Sequence, residues 1–255
     1  MPRHRGIYNF NNPEPYELSR SRIENFIKCP ACFYMQQVEG IKFPSIPGFN
    51  INEATDILLK KDFDFYRGKN KTHPFLIDQG LEYIIPYDHP DLNLWTQSLH
   101  FGAEGRMHFI HKKTNLKVGG GLDDVWLNTK TNKIHIVDFK STSQKKDNGP
   151  ITLDDYWKNA YKRQMDLYVW VMKNKGFDIE KTGYFLYCDG DRFTKKNFLN
   201  NKIGKMEFKM TLISYQTDTS WIENTLIKIK ENLFSEKRPS HNERCEFGNF
   251  LTQAL

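Results

Sequence analysis

Residues 119–144, GGGLDDVWLNTKTNKIHIVDFKSTSQ, constrain the fold more than any other stretch of the chain. Ile134 to Lys140 is a strand-like run rich in β-branched residues. Side chains alternate across a strand, so Asp138 and Lys140 fall on one face, a carboxylate beside an ammonium. Gly121 to Leu127 reads as a second strand, and the polar residues from Asn128 to Lys133 separate the two as a hairpin loop would. That pairing brings Asp123 beside Asp138, while Asp124 alternates to the other face. Adjacent carboxylates repel unless a cation compensates, and hard oxygen ligands suit Mg²⁺ or Mn²⁺. Such an ion can polarise a phosphoryl oxygen and acidify a bound water, with Lys140 orienting that water or offsetting charge on the phosphate. The chemistry implied is phosphodiester hydrolysis. Taken alone, an Asp-x-Lys is more often a strand end with solvated charges, and the downstream sequence is what adds weight.

Tyr161, Gln164, Met165, Tyr168 and Met172 recur at three- and four-residue steps in a helix-like stretch from Trp157 to Lys173. Gln164 and Tyr168 lie on one face, and Leu167, Val171 and Met172 supply apolar surface. Thr182 to Asp189 and Met206 to Tyr215 read as later strands, and Trp221 to Phe234 as an amphipathic helix with Leu226, Ile229 and Leu233 inward. Helix, hairpin, strand, helix and strand in one chain predict a mixed α/β fold.

In this order the motifs resemble the PD-(D/E)XK nuclease superfamily, within it the branch that includes RecB, AddB and the CRISPR-associated exonucleases. The residues that carry the resemblance are GGLDDV around the first aspartate, IVDFKST around Asp138 and Lys140, QMDLY for the branch's Gln-x-x-x-Tyr, and LSRSRIENFIKCPACFYMQ near the start. They span Leu18 to Tyr168, with a weaker match near Cys245. The resemblance implies a restriction-endonuclease-like core over about 50–190 of a single domain covering 1–255: a mixed central sheet flanked by helices, with N- and C-terminal extensions packing together. It implies Asp123 and Asp138 as metal ligands, with the Phe139 carbonyl as a third. Lys140 becomes the catalytic lysine, and Gln164 and Tyr168 contact the substrate or brace the metal site.

The branch's histidine ahead of the hairpin has no clean copy here. Ile51 to Arg67 is the equivalent helix, with Ala54, Ile57 and Leu58 expected on its apolar side. Asp56 stands roughly where the histidine would fall and can serve the same metal with a harder ligand; Glu53 and His73 are rivals.

Cys29 and Cys32 form C-x-x-C, and Cys245 lies in a polar tail. Many members of the branch hold an iron–sulfur cluster through one early and three late cysteines, but late in this chain only Cys245 is present, with Gly248 where a second would stand. Cys188 belongs to a core strand. Zinc held by Cys29, Cys32, Cys245 and His241 is chemically possible. The expectation is instead a degenerate clamp whose ends pack together without a cluster or zinc.

The net charge of +6 permits a polyanionic partner without requiring one. Lys140, Lys145 and Lys146 follow the second strand, while Lys158, Lys162 and Arg163 adjoin Gln164. Lys195, Lys196 and Lys202 form a third group, and Trp157, Tyr161 and Tyr168 offer stacking faces. No signal-like leader or apolar run of about 20 residues appears, so a cytoplasmic protein with no membrane partner is expected. Three functions fit: a DNA nuclease in repair, recombination or defence, a catalytically silent nucleic-acid-binding module of the same fold, and an interaction domain stabilised by an ion.

Overall fold

A computed structural model of the chain describes residues 7–41, 43, 48, 50–96, 106–145 and 149–254. The first half runs β1 (Tyr16–Ser19), α1 (Arg20–Lys28), α2 (Pro30–Gln37), α3 (Asn50–Asp64), α4 (Pro74–Asp78), β2 (Ile84–Pro86), α5 (Leu92–Trp95), β3 (His108–His111) and β4 (Leu116–Gly119). The second runs β5 (Asp124–Asn128), β6 (Lys133–Thr142), α6 (Asn159–Asn174), β7 (Thr182–Gly190), β8 (Leu199–Asn200), β9 (Ile203–Gly204), β10 (Phe208–Gln216), α7 (Ile222–Phe234) and α8 (Glu246–Ala254).

The architecture is mixed α/β. A five-stranded sheet in the order β10-β7-β6-β5-β2 pairs β6 and β7 in parallel and its other neighbours antiparallel. Parallel neighbours need a crossover, and α6 supplies it. β1, β4 and β3 form a separate three-stranded sheet in which β1 runs parallel to β4.

The β5–β6 hairpin forms because its pattern and its turn agree. Asn128 closes the loop by accepting the backbone N–H groups of Lys130 and Thr131 on Oδ1, and Asn132 takes the left-handed conformation at φ 57° that asparagine tolerates. The register sets Asp124 against Val137 and Asn128 against Lys133.

Each face of the sheet buries its own core. On one, Val125, Ile136 and Phe185 pack with Met165, Val169 and Met172 of α6 and with Leu226 and Ile229 of α7. On the other, Trp126, Val137, Phe139 and Leu186 pack with Phe63 of α3 and Leu76 of α4. Phe63 stacks on both His73 and Trp126, at ring separations of 4.4 and 5.0 Å.

That insertion corrects the expected orientation of α3. The side turned inward carries Thr55, Leu59 and Phe63, whereas Ala54, Ile57 and Leu58 are exposed. Burying one aromatic between rings of the sheet fixes the rotation of the whole helix, and the other apolar residues follow it outward.

Two ion pairs on buried carboxylates join distant elements. Arg67, just after α3, donates from Nη2 to Asp124 Oδ1 at 2.7 Å, and Asp124 also accepts from the Val125 N–H and Trp126 Nε1. Arg163 of α6 makes a two-pronged bond to Glu24 of α1, at 2.8 Å to each oxygen. The C-terminal segment lies against the N-terminal helices: Tyr34 donates to the Ser235 carbonyl, Asn242 to the Lys28 carbonyl, and Phe247 stacks on Phe43.

Candidate active site

One step beyond the β5–β6 ladder, the register places Asp123 opposite Asp138. Asp123 Oδ2 accepts the Phe139 backbone N–H at 2.8 Å, so a carboxylate replaces the next ladder bond. Asp138 is 1% exposed. Its Oδ1 accepts from Gln164 Nε2 at 2.7 Å, and its Oδ2 meets the Lys140 ammonium. Lys140 Nζ also lies 3.4 Å from the Phe139 carbonyl oxygen and 4.8 Å from the centre of the Tyr161 ring.

α3 completes the acidic group. Lys60 bridges Asp56 Oδ2 at 2.9 Å and approaches Asp123 Oδ1 at 3.9 Å. Asp56, Asp123 and Asp138 thus gather in one electrostatic neighbourhood with Lys60 and Lys140. From α6, Gln164 Nε2 reaches Tyr168 Oη at 3.4 Å as well as Asp138. Gly120 makes room for that tyrosine, since a Cβ there would stand 2.9 Å from Tyr168 Cε1.

Burial is the first cause that raises the Asp123 carboxyl from its ordinary 3.8 to about 7, and the neighbouring Asp138 is the second. Lys140, and more weakly Lys60, oppose the rise. For Lys140 burial works against the charge, but Asp138 and Asp123 outweigh it and hold the ammonium above the usual lysine value. Burial pushes the Tyr168 phenol up, against the pull of Arg20 and with the push of Asp138 and Asp123, so it serves as a neutral hydroxyl. A proton held by Asp123 up to about pH 7 in the folded chain and released near 3.8 when unfolded gives stability that is lost as pH rises through that window. The thermal midpoint in EDTA is therefore expected to fall between about pH 4 and 7 and to level off above, and Mg²⁺ is expected to flatten the fall by favouring the carboxylate. If Asp123→Asn leaves that slope unchanged, the proton resides elsewhere.

The other sequence candidates fall in different places. Asp124 is committed to Arg67 on the opposite face. His73 caps α4 through its Nδ1 and faces Asp62, and Glu53 is exposed, so neither joins the acidic group. Of the expected phosphate contacts, Arg163 is held by Glu24 and Lys158 by Asp155 and the Thr152 carbonyl. Both basic groups are paired within the fold, and Arg163 keeps 30% of its side chain exposed beside Glu24. Lys162 is half-buried on α6, Lys145 is exposed just past β6, and Lys146 lies outside the described residues.

Sequence reasoning passed over two members of the neighbourhood. Lys60 was detectable as the i+4 partner of Asp56, a spacing that pairs opposite charges on a helix. Tyr187 faces Lys140 through the β6–β7 register, and its buried hydroxyl has no hydrogen-bond partner among the described residues. Only the strand register could have placed it.

A second cluster, separate in its residues, brings Cys29, Cys32, His241 and Cys245 together, with their ligand atoms within 4.8 Å of one another, and could hold a metal ion. Cys188 stays apart, buried in β7.

Comparison of the chain with protein-family models, with curated proteins and with solved structures returned no match. Among the described residues no helix is long and apolar enough to cross a membrane.

Proposed function

We propose that this chain is a metal-dependent nuclease with a restriction-endonuclease-like core, hydrolysing phosphodiester bonds of DNA in repair, recombination or defence. The observation that carries the reading is the convergence of Asp123, Asp138 and Lys140 at one end of the hairpin, with Gln164 of the crossover helix bonded directly to Asp138. The parallel β6-α6-β7 unit beside an antiparallel β5–β6 pair supports the core assignment.

The donors fit Mg²⁺ or Mn²⁺. Carboxylates of Asp56, Asp123 and Asp138 and the Phe139 carbonyl are hard oxygen ligands, and Gln164 Oε1 is a buried acceptor with no partner among the described residues. When bound there, the ion supplies Lewis-acid polarisation of the phosphate and a more acidic water. The protein's own groups do the rest. Lys140 balances charge developing on the phosphate, Gln164 fixes the orientation of the Asp138 carboxylate, and Tyr168 braces Gln164. Tyr161 lies over Lys140 and offers a ring on which a base can stack.

A catalytically silent nucleic-acid-binding module remains a second reading, favoured by the ion pairs in which Lys140 and Lys60 themselves neutralise the carboxylates. End-labelled and circular DNA, single- and double-stranded, incubated with Mg²⁺, Mn²⁺ or EDTA, separates the two. Metal-dependent cutting supports the nuclease. Binding that weakens steeply with salt but never cuts supports the silent module. Neither binding nor cutting, with a thermal midpoint raised by the ion, indicates an ion-stabilised interaction domain.

A further inference from the structure

We propose that Cys29, Cys32, His241 and Cys245 form a structural Zn²⁺ site of three thiolates and one imidazole that locks the C-terminal segment onto the N-terminal helices. The decisive geometry is the position of His241 Nδ1, which lies 3.5 Å from each of three sulfurs, those of Cys29, Cys32 and Cys245. A ring nitrogen carries one proton or one lone pair and cannot hydrogen-bond equally to three thiols. Equal separation is what a tetrahedral ion imposes: Zn–S near 2.3 Å and Zn–N near 2.0–2.1 Å give an N···S edge of about 3.5 Å and an S···S edge of about 3.7 Å. The Cys32 and Cys245 sulfurs stand 3.3 Å apart.

The surroundings are built for these ligands. Cys29 precedes α2, with Pro30 at its first position, and Cys32 lies in its first turn, so both sulfurs project from one helix start. On the other side, His241 and Cys245 are four residues apart, and the Gly248 N–H donates to the Cys245 sulfur at 3.3 Å. Gly248 also leaves the space the imidazole occupies, since a Cβ there would stand 2.6 Å from His241 Cβ and 2.7 Å from Cγ. The three cysteines are 3%, 5% and 8% exposed, and all are free thiols.

Chemistry selects the ion. Thiolates with imidazole are soft to borderline donors that suit Zn²⁺, unlike the all-oxygen group around Asp123. Ligand atoms within 4.8 Å of one another enclose a single ion, whereas an iron–sulfur cube attaches each thiolate to its own iron and needs a wider ring. Loading releases the thiol protons, so affinity rises with pH. The site shares no residue with the acidic cluster, and its existence is independent of the nuclease reading.

The test is metal analysis of the full chain purified under reducing conditions without chelator. One zinc per chain is expected, and Co²⁺ exchanged into the site is expected to give the intense thiolate charge-transfer and tetrahedral ligand-field bands. With Mg²⁺ present throughout, stripping with a zinc-selective chelator is expected to lower the thermal midpoint, and added Zn²⁺ to restore it. His241→Cys keeps four ligands and is expected to keep the metal, while Cys245→Ser loses it. Should Cys245→Ser fail to fold, Gly248→Ala carries the same question, because displacing the imidazole is expected to weaken zinc binding about 10–100-fold in a chelator competition. A reduced, folded chain that holds no zinc and gives no Co²⁺ spectrum overturns the proposal. So does iron with labile sulfide, or a Cys32–Cys245 disulfide in the chain as isolated.

Discussion

Lys140→Ala is expected to cut metal-dependent DNA cleavage by about 10²–10⁴-fold, the range over which a positioned proton-transfer or charge-balancing group contributes. The ammonium lies against Asp138, and removing it leaves two facing carboxylates without their nearest cation. Divalent-ion binding should survive, since the oxygen donors remain, and far-UV circular dichroism should be unchanged. Asp138→Asn makes the complementary case. It keeps an oxygen to accept from Gln164 but removes the charge, so metal affinity and cleavage should fall together. Asp56→Ala is expected to weaken metal binding less, because Asp56 is 30% exposed at its side chain and reaches the group through Lys60. Cleavage by Lys140→Ala within about threefold of the parent chain would sink the assignment, since even the low end of that range is about 100-fold.

How much of this was legible beforehand depended on whether local and non-local signals agreed. The β5–β6 hairpin and α6 were, because alternation, turn residues and helical period each specify them within a few residues of sequence. The rotation of α3 was not. Ile57 and Leu58 look like core but point outward, because Phe63 is drawn between Trp126 and His73, partners that the helix's own pattern cannot reveal. Charge was half legible for the same reason. The basic group around Arg163 was visible, but its pairing with Glu24, 139 residues away, was not. β1 pairs with β4 across a similar span, and neither short strand has enough residues to announce itself by period. At the cysteines, the C-x-x-C was visible, but only the fold shows that His241 and Cys245 meet it, His241 from 212 residues beyond Cys29.

The largest effect on stability is expected from Arg67→Ala, far from any substrate. Asp124 is 1% exposed, and its carboxyl group is bonded by the Arg67 guanidinium together with the Val125 N–H and the Trp126 indole. Burial raises its pKa, and Arg67 is the first influence opposing the rise. Removing one partner of a buried pair strands the other, which costs about 3–5 kcal/mol. For a chain of this length, each kcal/mol moves the midpoint by about 2–4 °C, so a fall of about 10 °C is expected. The deficit should grow as pH rises, because a stranded Asp124 takes a proton in the folded state that the unfolded chain releases. Adding Asp124→Asn to Arg67→Ala should recover part of the loss, a coupling that a double-mutant cycle measures directly. Metal affinity should be untouched in both variants, since Asp124 faces the core on the side of the sheet away from Asp123. If Arg67→Ala instead abolished divalent-ion binding while the chain stayed folded, the two neighbouring aspartates would have to exchange roles. The acidic site would then belong on the Trp126 face of the hairpin.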